Sequence, residues 1–119
     1  MTREEFESAV AEAVRGLPVG FRRKLENISV HVADRPTARM LREAGVPPGR
    51  TLLGLYQGVP YTKRGVHYGN VLPDRVILFQ GTIEAACPDP SQLPQRIRDV
   101  LVHEMGHYFG LSDEEMSSG

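Results

Sequence analysis

Residues 89–110 carry the signals of one long helix, and no other stretch constrains the fold as strongly. Asp89 suits an N-cap, Pro90 the first helical position, and Gln92 stands where the partner of a capping box belongs. Leu93, Ile97, Val100, Leu101 and Tyr108 then trace one apolar stripe at helical spacing. Gly110 closes the pattern, because glycine adopts the left-handed conformation in which helices commonly end. Over residues 90–109 such a helix is roughly 30 Å long at about 1.5 Å per residue. An apolar stripe of that length has to be buried against other elements.

The rest of the chain supplies them. Phe6, Val10, Ala13, Val14 and Leu17 recur at helical spacing opposite Glu4, Glu5, Glu7, Glu12 and Arg15, with Thr2 as N-cap and Gly16 and Pro18 as the stop. Ile28, Val30 and Val32 alternate with Ser29, His31 and Ala33, the pattern of a half-buried strand whose His31 faces solvent. Residues 36–44 read as a short helix stopped by Gly45 and Pro47-Pro48, and residues 51–57 as a second strand. Residues 75–80, Arg-Val-Ile-Leu-Phe-Gln, are nearly continuous in apolar side chains and so belong inside the sheet. A helical turn is expected at 82–86. Residues 58–73 show no period; loops longer than roughly 12–15 residues are commonly functional. The expected fold is α+β: one domain over residues 1–119, with a small mixed sheet of three or four strands and the long C-terminal helix packed on it.

Composition excludes several classes. A net charge of −1 gives no field for nucleic acid or an anionic membrane. No apolar run approaches the roughly 18 residues of a membrane span, and the acidic N-terminus is not followed by a secretory h-region. The single cysteine, Cys87, reads as a small apolar filler and fits a reducing compartment, so a cytoplasmic location is expected. Arg22-Arg23-Lys24 reads as a solvated surface turn.

The chemistry lies on the last turns of the long helix, in His103-Glu104-Met105-Gly106-His107-Tyr108-Phe109-Gly110-Leu111-Ser112-Asp113. Residues four apart share a helix face, so His103 and His107 can converge on one metal ion. Glu104 is rotated by about 100° from His103, where it can flank the ion without competing as a ligand. After the reversal at Gly110, Asp113 falls where a carboxylate completes the site. Glu114, Glu115 and His67 are the other candidates for third ligand. Two imidazoles and a carboxylate suit Zn2+ and leave a fourth position for water, the arrangement of a catalytic site. A bare His-Glu-x-x-His arises by chance in roughly one chain of this length in several hundred, and the spaced Gly110 and Asp113 make the pattern far more specific. The spacing matches the metzincin arrangement, with aspartate in place of the third histidine. Met116 lies too close to Asp113 to form a Met-turn beneath the site.

Through these residues the chain resembles the short bacterial zincin-like metallopeptidases, sometimes called minimal zincins. The resemblance extends in order of elements to the N-terminal helix, the strands at 28–32 and 75–80, and the Asp89-Pro90 opening of the long helix. It implies a compact α+β fold, His103, His107 and Asp113 as zinc ligands, and Glu104 as the catalytic carboxylate. A peptide or protein substrate is expected, recognised as an added strand on an edge of the sheet. With no further lobe to wall a cleft, the site is expected to be open, or completed by self-association or a partner. An alternative is a binding or regulatory module with a structural or vestigial metal. Tyr61, His67 and Tyr68 are candidate oxyanion donors, and Asp74, Glu84, Asp99 and backbone carbonyls are candidate partners for the second nitrogens of the imidazoles.

Overall fold

The structure, a computed structural model, describes residues 1–25, 28–58 and 74–108. Helix α1 spans Arg3–Arg15 and opens on a full capping box: Thr2 Oγ1 accepts the Glu5 amide and Glu5 Oε1 accepts the Thr2 amide. That backbone bond, with the Thr2 side chain second, holds the Glu5 carboxyl below its ordinary range. A short helix α2 follows at Val19–Lys24, opened by Pro18. It corrects the expected surface turn at Arg22-Arg23-Lys24: the triplet lies within a helix, although Arg22 and Arg23 are exposed as expected. Six residues are too few to show a helical period.

Strand β1 spans Ile28–Ala33, and α3 spans Ala38–Glu43, with Thr37 accepting the Met40 amide. Gly45, at φ 73°, takes the left-handed turn that closes α3. Strand β2 is only Gly54–Gln57, shorter than the expected 51–57. The preceding residues are drawn elsewhere, since Leu52 O accepts the Thr82 hydroxyl at 2.8 Å. Strand β3 spans Asp74–Phe79, and helix α4, Gln80–Ala85, begins with no intervening loop. Gln80, expected to end the strand, instead starts that helix. Its buried side chain accepts Arg3 Nε at 2.9 Å and donates to Thr2 O at 3.4 Å, tying α4 to the start of α1.

A 3-10 turn at Pro90–Gln92 leads into α5, Leu93–Tyr108. The expected Asp89 cap is present in a different form. Its carboxylate accepts the Ser91 hydroxyl at 2.8 Å and the Ser91 amide at 3.0 Å, and Gln92 donates its backbone N–H to Asp89 O. Those bonds, the hydroxyl foremost, hold the Asp89 carboxyl below its ordinary range.

Among the described residues the sheet has three strands in the order β1-β3-β2, with β1 and β3 parallel and β2 antiparallel to β3. The expected mixed α+β architecture is therefore the observed one. The apolar β3 is central, and β2 and β1 are the edges. One face of the sheet, carrying Val76, Leu78 and Ile28, packs with α1 and α5 into a core of Phe6, Val10, Ile83, Ile97, Leu101 and Met105. Cys87 is buried beside this core, as a filler should be, and donates to Asp89 O.

At the junction of β1 and α4, Gly81 donates its amide to Asp34 O at 2.7 Å. A Cβ at Gly81 would lie 2.8 Å from that same carbonyl oxygen and 2.6 Å from Asp34 Oδ1. Gly81→Ala should therefore cost about 1–3 kcal/mol, the usual penalty for overpacking against backbone. Denaturant unfolding measures it, and a variant as stable as the parent would show that the junction is slack.

Candidate metal centre

The helical wheel of α5 sets the exposure of each site residue. At about 100° per residue, Glu104 falls within about 20° of Leu93, near the middle of the buried stripe, with His107 and then His103 progressively further around the helix. Burial follows that order: Glu104 is 5% exposed, His107 is intermediate and His103 is exposed. Met105, fully buried, completes the stripe from within the motif itself. The side chain of Tyr108, expected on the stripe, lies outside the described residues.

His103 and His107 stand edge to face, their ring centroids 4.8 Å apart. One donor atom from each of His103, Glu104 and His107 can be chosen so that all lie within 4.8 Å of one another. Two donors about 2.1 Å from one ion are at most about 4.2 Å apart, a difference that small rotations of the exposed His103 side chain can close. This group can hold a metal ion, and its nitrogen-and-oxygen donor set fits the expected zinc.

Glu104 is held from two sides. Its Oε1 accepts the backbone amide of Tyr56 in β2 at 2.9 Å and lies 3.2 Å from His107 Nδ1. A His107 tautomer protonated at Nδ1 satisfies this contact and leaves the Nε2 lone pair for a metal. So the partner of a second imidazole nitrogen comes from the motif itself. Of the three carboxylates expected in that role, Asp74 accepts the Tyr56 hydroxyl at 3.3 Å, Glu84 accepts Gln80 Nε2 and Asp99 accepts Gln95 Nε2.

Helix and strand meet closely because residue 54 is glycine. A Cβ there would lie 2.8 Å from Val100 Cγ1 and 3.1 Å from Glu104 Cγ. Gly54 and Tyr56 were not legible as site residues. Gly54 reads as an ordinary strand glycine, and Tyr56 contributes through its amide, which any residue but proline provides. The usable signal was Glu104 itself, one turn after Val100 and so on the buried stripe.

Asp113, the expected third ligand, lies outside the described residues, as do Glu114, Glu115, Met116, Gly110, Tyr61, His67 and Tyr68. His31 is exposed as expected and borders a groove of about 650 Å³ between α1 and β1, at the sheet edge opposite β2. Among the described residues no helix is long and apolar enough to cross a membrane.

A conserved hypothetical protein from Thermo thermophilus has a similar structure, with a TM-score of 0.60 and 20% identity over 98% of each chain. At that identity the likeness concerns the fold. No curated protein matches the chain. The sequence model of the zincin-like metallopeptidases matches residues 25–119, from the end of α2 through the whole motif. With that match spanning most of its length, the chain belongs to the zincin-like metallopeptidase family.

Proposed function

We propose that this protein is a zinc-dependent metallopeptidase that hydrolyses peptide bonds. The observation that carries the reading is the convergence of His103, Glu104 and His107 on the final turns of α5, beside the sheet edge formed by β2. His103 and His107, with Asp113, would hold the ion. Bound zinc supplies the polarisation that makes a water nucleophilic near neutral pH and activates the scissile carbonyl. Glu104 receives the proton of that water on a carboxylate oxygen and delivers it to the leaving amine nitrogen.

The β2 edge supports an extended peptide as substrate. Leu53 and Phe79 are a hydrogen-bonded pair, Phe79 N to Leu53 O at 2.9 Å. Alternation along the antiparallel ladder then turns the backbone groups of Gly54 and Tyr56 away from β3. A substrate strand would meet the outward backbone groups of Gly54 there, in the manner of β-augmentation, the Tyr56 amide being bonded to Glu104. We expect the cleft to be open or completed by a partner or a second copy.

One observation favours a second reading, a zincin-fold binding module with a structural metal. Glu104 is buried and bonded as an anchor would be, whereas a base has to meet water. Glu104→Gln separates the two. On a broad peptide library the peptidase reading expects chelator-sensitive cleavage, lowered about 10²–10⁴-fold by Glu104→Gln with zinc content unchanged. Stoichiometric zinc without cleavage of any peptide by the parent would favour the module.

Ligand assignment is tested by metal analysis at defined free zinc. Alanine at His103, His107 or Asp113 should each weaken zinc binding by well over tenfold, because each removes one of three protein donors. If Asp113→Ala retains the parent's affinity, the third ligand is another residue, with Glu114, Glu115 and His67 next to be replaced.

A further inference from the structure

Glu104 needs an orientation as well as a place on the helix, and the structure supplies it from outside the motif. Tyr56 and Val76 are register partners in a non-hydrogen-bonded pair, so the Tyr56 amide points away from β3, to the side of β2 that no described strand occupies, and takes no part in the ladder. An outward amide on an edge strand is ordinarily left to solvent or to an added strand. Here it donates to Glu104 Oε1 at 2.9 Å. The reach depends on Gly54, two residues earlier on the same face, where α5 lies too close for a Cβ.

We propose that β2 acts as a positioning strand for Glu104: the Tyr56 amide, brought within reach by the glycine at 54, latches one carboxylate oxygen and thereby directs the other towards the reacting water. Among the described residues, both contacts of the carboxylate, from Tyr56 N and His107 Nδ1, fall on Oε1 and neither falls on Oε2. The carboxylate therefore works with its two oxygens in different roles. The latch also sets recognition, because the Tyr56 N–H is already occupied. A peptide added along β2 cannot use that amide while the latch holds. Tyr56 and Gly54 are positioning residues, since neither has to touch substrate for the latch to act. The positioning role rests on the peptidase reading, whereas the latch itself can be measured without it.

The test begins with amide exchange, followed by NMR on the full chain with and without zinc. The Tyr56 amide should exchange at least about tenfold more slowly than a solvent-facing edge amide, and Glu104→Ala should remove that protection while Leu55 and Gln57 keep theirs. Two further variants address catalysis. Gly54→Ala pushes the strand from the helix, and an amide-to-ester replacement at Tyr56, made by ligation, deletes the N–H without adding bulk. The ester also keeps the question answerable should Gly54→Ala fail to fold. Each should lower kcat by about 10–100-fold, as misplacement of a catalytic group does, with KM and zinc stoichiometry unchanged. Tyr56→Phe, which keeps the amide, should retain the protection. An unprotected Tyr56 amide in the parent overturns the latch. A Tyr56 ester with the parent's kcat overturns the positioning role. A parent that cleaves no peptide yet shows the protected amide overturns the peptidase reading, and with it that role, while the latch stands as a structural contact.

Discussion

Taking a carboxylate out of water costs several kcal/mol unless its oxygens find donors, and Glu104 is almost wholly withdrawn from solvent. The donors it finds come from two elements, a backbone amide in β2 and an imidazole one turn along α5. The first contact exists only where the helix and the edge strand lie against each other at this level, whereas the second lies within α5. The buried charge therefore selects one axial placement of α5 on the sheet, where apolar packing alone would tolerate several. That is a role in specificity of structure, and it costs little because the hydrogen bonds offset the desolvation.

The core holds α5 in the matching rotation. Ile97, Leu101 and Met105 are fully buried against the face of the sheet that carries Val76 and Leu78. Once those three side chains are inside, the 3.6-residue period leaves no freedom to the others: Glu104 must face the seam, His107 its rim and His103 the solvent. Exposure at the candidate centre is thus inherited from core packing. Of the groups that could hold an ion, His103 and His107 therefore lie towards the exposed side of the helix and Glu104 on its buried side. Gly54 is the point at which β2 admits this arrangement, because any side chain would hold the strand away from Val100 and Glu104.

Much of this was legible in the sequence, for reasons that differ from element to element. Long elements with a clear period, α1 and α5, and the continuous apolar run of β3 announced themselves. Short ones did not. The helix Val19–Lys24 is less than two turns, and the strand at Gly54–Gln57 is bounded by competition from the Thr82 hydroxyl for Leu52, which no local pattern encodes. The metal group was legible because imidazoles at i and i+4 share a face by helix geometry alone. The Tyr56–Glu104 contact was not, since it joins residues 48 apart through a main-chain amide and leaves no mark on side-chain composition. A misplaced expectation for the imidazole partners has the same origin: Glu84 and Asp99 have the right chemistry, yet each is bonded on its own helix.

On the proposed peptidase reading, anchor and base are opposed demands on Glu104 at first sight, because an anchor should be dry and fixed while a base must exchange protons with water. A carboxylate reconciles them through its two oxygens. Fixing Oε1 by a rigid main-chain donor leaves the lone pairs of Oε2 open to a proton, and it removes the rotational freedom that would otherwise be lost on reaching the transition state. A glutamate on a solvent-exposed helix face would enjoy no such restraint. Burial on the stripe side of α5 is therefore compatible with proton transfer, provided the second oxygen reaches the rim where His107 emerges.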